Sequence, residues 1–357
     1  MVIGGLTVIL LLVLALPFFI KKVEENLEPF LFLMGVLATI ISGKICAHLV
    51  LEALREPIMI AAVVLVAGVL FFLLKDQFSI LMNKLLLRIP LAVFVSGVVL
   101  ILGLLSSVIT AIVASIILVE VITLLPLRRQ QKIVVCILAC FAIGLGATLT
   151  PVGEPLATIA IAKLDESFFY LFFLLGKYVI PMVVFFTALA GIYTAKAARE
   201  NNNDFNLAMT SESQVLEDSL IEDEPLEEDT WKSIIVRALK VYLFVMALVF
   251  LGEGFEPLIE AYILGLNPQI LYWINMISAV LDNATLCAAE ISNAMGDATI
   301  TAILMGLLIS GGMLIPGNIP NIITASRLRI TSKEWARLGI PLGLIVMGIM
   351  FVILFLI

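Results

Sequence analysis

The sequence predicts an all-α polytopic membrane protein built as an inverted repeat, with two re-entrant hairpins and two broken transmembrane helices. Three observations lead to this fold class: the composition, the lengths of the apolar segments, and a phrase that occurs twice. Of the 357 residues, 62% are hydrophobic and 14% are charged, and the mean hydropathy is +1.17. A chain of this composition lacks the polar residues with which an ordinary water-soluble domain covers its surface.

The doubled phrase is GATLTPVGEP, from Gly146 to Pro155, which returns 165 positions later as GGMLIPGNIP, from Gly311 to Pro320. Both copies lie in apolar stretches, where glycine and proline interrupt a helix. Unwound backbone is tolerated in a bilayer only where it is buried in protein or lines a cavity, and paired interruptions point to a substrate site near the midplane. The predicted hinge residues are Gly146, Pro151, Gly153, Pro155, Gly311, Gly312, Pro316, Gly317 and Pro320.

Apolar segments of about 20 residues are long enough to cross a bilayer as helices. We expect eight crossings, at residues 2–20, 30–51, 58–74, 133–164, 168–195, 233–251, 298–330 and 334–357. Two further apolar segments, 91–125 and 269–296, are interrupted midway by polar residues and are predicted to be re-entrant hairpins.

Basic residues in short loops predict the orientation. Lys84 and Arg128 lie on the two sides of the first hairpin, so both of its ends should be cytoplasmic. The 86 residues between Lys240 and Arg327 contain no lysine or arginine, so the second hairpin should open outward. Counting crossings from these anchors makes the two halves inverted and puts both termini outside a cytoplasmic membrane that the chain crosses several times.

The domain organisation follows from these segments. The stretch from Glu200 to Trp231 contains eleven acidic residues and no basic one, so the formal charge of −7 belongs to one linker, and nothing suggests a nucleic-acid partner. The predicted units are N-terminal scaffold helices (1–90), a first repeat of cytoplasmic-side hairpin, broken helix and helix (91–195), an acidic cytoplasmic linker (196–232), a scaffold helix with an interfacial segment (233–268), and the inverted second repeat (269–357).

The repeat extends to the hairpins. SSVITAIVASIILVE, from Ser106, matches SAVLDNATLCAAE, from Ser278, at an offset of 172, which pairs Thr110 with Asp282. Glu120 and Glu290, which are 170 positions apart, end the two matched segments, and we expect both glutamates at hairpin ends in the headgroup zone.

Oxygen-bearing side chains gather in these four motifs. Asp282 is an ionisable group in an apolar setting, where an isolated charge costs about 2.5 to 3.5 kcal/mol, so it needs a partner or a function. Carboxylate, amide and hydroxyl oxygens suit a small cation. The candidate ion-binding residues are Asp282, Asn283, Thr285, Glu154, Thr148, Thr150, Asn318, Asn321, Ser106, Ser107, Thr110 and Ser278.

Each of these residues also has a structural interpretation. Asp282 could cap a helix, the hydroxyls could bond to a carbonyl one turn back, and the asparagines could satisfy backbone groups freed by the prolines. The four cysteines lie in apolar runs and are expected to be buried thiols. The sequence predicts no cofactor and no metal apart from a transported sodium ion.

These motifs resemble the ion transporter superfamily, which includes sodium/proton antiporters and carriers of arsenite, citrate and dicarboxylates. TPVGEP, at 150–155, is similar to a stretch of the D- and B-type antiporters, and LDNAT, at 281–285, is similar to their hairpin tip. The chain is most similar to archaeal and bacterial cation transporters called E-type. The resemblance covers residues 90–357 and implies a homodimer with a fixed scaffold and a core that moves like an elevator. The serine-asparagine-threonine tip of the carboxylate carriers is absent from the first half, which has Ser107-Val108-Ile109-Thr110 instead.

We therefore expect a secondary transporter rather than an enzyme, one that exchanges a monovalent cation, most simply sodium, for protons. Asp282 and Glu154 would alternate between proton and cation. The alternative is an anion carrier for arsenite or a di- or tricarboxylate, which would use helix N-termini and hydroxyl groups. A third class is a membrane receptor or regulator whose acidic linker binds a partner.

Overall fold

The computed structural model describes residues 2–24, 26–86, 88–210, 231–262, 266–280, 283–291 and 295–356, and every regular element in these ranges is helical. In chain order the helices are α1 (Val2–Phe19), α2 (Lys21–Glu24), α3 (Leu27–Ser42), α4 (Ala47–Leu86), α5 (Leu91–Ile109), α6 (Ala111–Leu124), α7 (Arg129–Ala147), α8 (Pro155–Leu164), α9 (Tyr170–Thr210), α10 (Trp231–Tyr262), α11 (Pro268–Ile274), α12 (Asn283–Glu290), α13 (Asp297–Gly311), α14 (Ile319–Leu328) and α15 (Ser332–Phe355). Short 3₁₀ turns occupy Asn275–Ala279 and Ile315–Gly317.

Five helical segments in the described ranges are long and apolar enough to cross a membrane: Leu91–Ile109, Arg129–Ala147, Tyr170–Glu200, Ile234–Leu258 and Ser332–Phe355. Large apolar side chains also cover much of the outer surface. On α9, for example, Phe173 is 77% exposed and Ile192 is 68% exposed. An all-helical fold with a surface of this kind is compatible with a multi-pass membrane protein.

A group of helices at one side contains α1, α3, α4 and α10, with α10 packed against both α3 and α4. Glycine residues allow α10 and α3 to pack closely. A Cβ atom on Gly35 would lie 2.9 Å from Cβ of Phe250, and one on Gly254 would lie 2.6 Å from Cβ of Ala38. Small residues at such crossings let helix backbones approach each other.

Most of the remaining helices form two groups of three. Helices α5, α7 and α9 pack against one another, and so do α11, α13 and α15. The short helices join the two groups, because α6 packs on α14 and α12 packs on α8. A broken helix belongs to each group: α7 and α8 are separated by residues 148–154, and α13 and α14 by residues 312–318.

The structure corrects three of the segment predictions. The span at 30–51 is wrong, because α3 ends at Ser42, Gly43 adopts a left-handed conformation with φ of 72°, and α4 begins at Ala47. The span at 58–74 is part of the 40-residue α4. The separate interfacial segment around 255–264 is also wrong, because α10 continues without a break to Tyr262 despite Pro257.

The linker prediction is met only in part. Helix α9 extends into the predicted linker as far as Thr210, and α10 already begins at Trp231. Residues 211–230, which contain most of the acidic side chains, lie outside the described residues.

Candidate functional site

The first break begins where α7 ends at Ala147, and the chain stays non-helical as far as Glu154, whose backbone is extended. Pro155 then starts α8, at the first helical position, where proline loses no hydrogen bond. Gly153 is required here, because a Cβ atom on it would collide with the carbonyl oxygen of Ala147. Glycine and proline therefore shape this break as the sequence predicted.

The tip of the first hairpin is bonded to this break. The N–H of Ala111 donates to the carbonyl oxygen of Gly153 at 2.8 Å, and the Thr150 hydroxyl donates to the carbonyl oxygen of Ser107. Between α5 and α6, Thr110 adopts φ of 75°, and its Oγ1 accepts from the N–H of Val113 at 3.3 Å. These two bonds hold the turn that contains Thr110 against the break that contains Thr150.

The serine hydroxyls of the first hairpin are bound to carbonyl oxygens. Ser106 Oγ lies 2.7 Å from the oxygen of Gly103 and 3.0 Å from that of Ile143, and Ser107 Oγ donates to Leu104 at 2.8 Å. These bonds correspond to the structural interpretation of the hydroxyls, in which a hydroxyl satisfies the turn before it. Ser106 in addition ties α5 to α7.

Glu154 is the acidic side chain of the first break. It is only 6% exposed, and its Oε1 accepts a hydrogen bond from the Thr148 hydroxyl at 2.7 Å. The same hydroxyl lies 3.3 Å from the carbonyl oxygen of Gly144. The carboxyl group therefore turns back toward the end of α7 and does not lie on the surface.

The second break has the same backbone geometry as the first. Asn318 has φ of −156° and ψ of 146°, and Glu154 has φ of −156° and ψ of 160°. Both following helices contain 10 residues and end on left-handed residues, Asp165 with φ of 53° and Arg329 with φ of 50°. Each of these pairs is 164 positions apart.

This geometry corrects the register of the doubled phrase. Matching the letters gave an offset of 165 and paired Glu154 with Ile319, whereas the backbone pairs Glu154 with Asn318. The cause is proline. Pro155 is the first residue of α8 and Pro320 is the second residue of α14, and both positions in a first helical turn accept proline.

Asparagines surround the second break. Asn321 Nδ2 donates to the carbonyl oxygens of Gly311 and Leu314, both at 2.8 Å. Its Oδ1 is buried without a hydrogen-bond partner in the described part of the chain, and so is Nδ2 of Asn283. A Cβ atom on Gly311 would lie 3.6 Å from that Asn283 nitrogen, so the start of α12 lies directly against the end of α13.

Ser278 belongs to the same cluster. Its Oγ donates to the carbonyl oxygen of Leu307 at 2.9 Å and lies 3.0 Å from Oγ of Ser310. Asp282 lies outside the described residues, as does the side chain of Thr285, so two of the predicted ligands have no described position.

The two breaks meet across α7. The side-chain amide of Asn318 lies against Gly144, where a Cβ atom would collide with its nitrogen, and a Cβ atom on Gly312 would collide with the ring of Phe141. One turn before Gly144, Cys140 Sγ lies 3.2 Å from Oγ1 of Thr324. The site residues of the first and second breaks therefore lie within a few helical turns of one another.

The predicted hinge residues lie partly within the two breaks and partly at the ends of the adjoining helices. Pro151 and Gly153 lie in the first break and Gly312, Pro316 and Gly317 in the second, while Pro155, Gly311 and Pro320 are at helix ends. Gly146 is the next-to-last residue of α7. A Cβ atom on it would collide with the carbonyl oxygen of Gly103, so it serves the close crossing of α5 and α7.

A family model described as "Protein of unknown function (DUF1646)" matches residues 3–357. The chain belongs to this family. No curated protein matches the chain.

Four further residues of this DUF1646 chain belong to the same region and were missed from the sequence: Gly144, Asn275, Glu290 and Ser310. Gly144 lies in an apolar helix, where a glycine can mark a close approach of another element. Glu290 was expected only at a hairpin end, but its side chain is 2% exposed and bonded to Asn275. Its predicted counterpart Glu120 lies 3.6 Å from Arg327.

Among the described residues, no three histidine, cysteine, aspartate or glutamate side chains gather as a metal site. The described oxygen donors of the two breaks are instead one carboxylate, several hydroxyls and three amides. Such a donor set is weak for a divalent ion, which usually takes several carboxylates.

Proposed function

We propose that this protein is a secondary active transporter that exchanges a monovalent cation, most simply sodium, for protons across the cytoplasmic membrane. The observation that carries the proposal is the buried carboxyl group of Glu154, at the N-terminal end of α8 and in the gap of a broken helix. A carboxyl group away from water is held either protonated or against a cation. A carboxyl group that binds a proton and a cation in turn would exchange protons for that cation.

The proposal includes an inverted repeat of hairpin, broken helix and helix. It is supported by the reciprocal packing of the short helices, since α6 contacts α14 and α12 contacts α8. Pairs that exchange their partners in this way are expected of two units related by a two-fold axis. Two units of opposite orientation in the membrane give a site that each side reaches in turn.

Oxygen atoms for the cation are available from both breaks. Asn321 Oδ1 is buried without a partner in the described part of the chain, and the Thr148 hydroxyl lies beside Glu154. Asp282, which directly precedes Asn283 in the sequence, is proposed as the second acidic ligand. The sequence between Lys240 and Arg327 contains no basic residue that could pair with it.

An anion carrier is the alternative, and the unpartnered Nδ2 of Asn283 favours it, because this atom is a hydrogen-bond donor. Helix N-termini such as those of α8 and α14 also attract anions. At α8, however, Glu154 already supplies a carboxyl group, and an anion bound there would meet like charge. The cation proposal is therefore the stronger one.

Reconstituted vesicles test the proposal. With an imposed pH gradient, adding sodium or lithium salt should dissipate the gradient, while choline should not. Glu154→Gln keeps the shape of the side chain and removes its charge, so it should abolish the exchange. Glu166→Gln, on an exposed residue after α8, is the matched control and should behave as the wild type.

The outcome separates the two functions. If no monovalent cation dissipates the gradient at neutral or alkaline pH, the antiport proposal is lost. Uptake of labelled arsenite or a dicarboxylate in the same vesicles would then support the anion carrier.

A further inference from the structure

A second buried carboxyl group lies outside the two breaks. Glu290 is the last residue of α12, and Asn275 opens the 3₁₀ turn on the other arm of the same hairpin. Both side chains are buried, at 2% and 0% exposure. Asn275 Nδ2 donates to Oε2 of Glu290 at 3.0 Å and approaches the carbonyl oxygen of Ile303 at 3.4 Å.

Each of these two side chains has one oxygen without a partner. Oε1 of Glu290 and Oδ1 of Asn275 are buried and accept no hydrogen bond in the described part of the chain. Nearly all buried polar atoms in native proteins are satisfied, so two orphaned acceptors on bonded neighbours need an explanation. Either a cation or a hydrogen-bond donor would satisfy both oxygen atoms.

The protein does not supply that charge from nearby in the sequence. Both residues lie in the stretch between Lys240 and Arg327, which contains no lysine or arginine. Within the described ranges, no ion pair joins Glu290 to a basic side chain. An ionised carboxylate buried without a partner is strongly unfavourable.

The amide can adapt to a cation. The oxygen and nitrogen of an asparagine amide exchange places when the group turns over. In the present orientation Nδ2 faces Oε2 of Glu290 and satisfies it. After the turn Oδ1 would face the carboxylate, and the contact would become a pair of oxygen atoms suited to a cation.

We propose that Glu290 and Asn275 form a second monovalent-cation site. One carboxylate with neutral oxygens suits sodium or lithium better than a divalent ion, which takes six to eight oxygens and commonly several carboxylates. No further acidic or histidine side chains complete a metal site at this position in the described residues.

The site is linked to the second break by hydroxyl groups. The Ser310 hydroxyl lies 2.7 Å from the carbonyl oxygen of Asn275 and 3.0 Å from Oγ of Ser278. Ser278 is one of the proposed ion-binding residues. A role of this second site in transport, as a place where the cation binds before it reaches the breaks, rests on the proposed function. Cation binding at Glu290 does not depend on the proposed function.

Equilibrium binding of radiolabelled sodium to the purified protein tests the site, with choline chloride holding the ionic strength constant. The wild type should bind two sodium ions per chain, and Glu290→Gln and Asn275→Ala should each bind one, or bind the second about tenfold more weakly. Glu120→Gln, on the partly buried glutamate near Arg327, should keep two.

A wild type that binds no sodium would overturn the proposal without any variant, and so would a sodium count unchanged from the wild type in both Glu290→Gln and Asn275→Ala. If one variant fails to fold, the other and the wild-type count still decide. Glu154→Gln separates the two proposals. If it abolishes exchange and Glu290→Gln still binds two ions, only the second site is lost. If vesicles show no exchange but Glu290→Gln loses an ion, only the proposed function is lost.

Discussion

The side-chain amide of Asn318 lies against the backbone of Gly144, at a position where any Cβ atom would overlap its nitrogen. Asn318 precedes α14 in the second break, and Gly144 lies one turn before Thr148 at the end of α7. Thr148 in turn donates to Glu154. Asn318 of the second break is therefore connected to the Glu154 carboxyl group of the first break through Gly144 and Thr148.

Gly144→Ala should therefore destabilise the protein. The methyl group would push the Asn318 amide aside, and because that side chain is itself buried, the displacement disturbs its neighbours; overpacking of this kind costs about 1–3 kcal/mol. The matched control is Gly97→Ala in α5, where nothing lies within 4 Å of the added atom. We expect a lower thermal unfolding midpoint for Gly144→Ala only. Equal midpoints for both variants would contradict the contact.

The two breaks should also respond alike to a methyl group at their equivalent glycines. A Cβ atom on Gly153 would lie against the carbonyl of Ala147, and one on Gly317 at 2.5 Å from the carbonyl oxygen of Gly311. Gly153→Ala and Gly317→Ala should both lower the unfolding midpoint, while Gly348→Ala, which meets nothing within 4 Å, should not. Tolerance of one variant and loss of the other would show that the breaks are not equivalent.

Thr148 is expected to position Glu154 through the 2.7 Å hydrogen bond to its Oε1. Thr148→Val keeps the volume and removes the donor, and hydrogen bonds to charged groups contribute about 1.5–3 kcal/mol. In the vesicle assay, the sodium concentration for half-maximal exchange should rise about tenfold, with the maximal rate less affected. Thr148→Ser restores the hydroxyl and should restore the wild-type value. A serine variant as impaired as the valine variant would assign Thr148 to packing alone.

The backbone features were the easiest to predict from sequence. Glycine and proline have strong local effects, so the breaks at 148–154 and 312–318 were found, and the hairpin offset of 172 matches the starts of α6 at Ala111 and α12 at Asn283. The break after Ser42 was missed because Gly43 has no proline beside it and is not part of a repeated phrase.

Contacts between distant segments were not predictable in the same way. The burial of Glu290 depends on Asn275, 15 positions earlier, and on the fold of the hairpin that joins them. Matching the letters of the two phrases gave an offset of 165, whereas equivalent backbone positions are 164 apart. The letters align the prolines, but Pro155 is the first residue of α8 and Pro320 is the second residue of α14. The types of residue in the sequence were therefore enough to predict where the candidate site lies. Which residues contact one another there depends on packing between distant segments, which the sequence does not show.

Trp335 ties the second break to α15. Its side chain is fully buried, and Nε1 donates to the carbonyl oxygen of Gly312 at 3.1 Å. This carbonyl belongs to the turn after α13, where the helix no longer satisfies it. Trp335→Phe keeps an aromatic ring but removes the donor, which should cost about 1–3 kcal/mol, since the buried carbonyl loses its partner. Trp273→Phe, on a tryptophan that is 37% exposed, is the control and should change the unfolding midpoint much less. If the two variants unfold at the same temperature, the indole hydrogen bond does not stabilise the break.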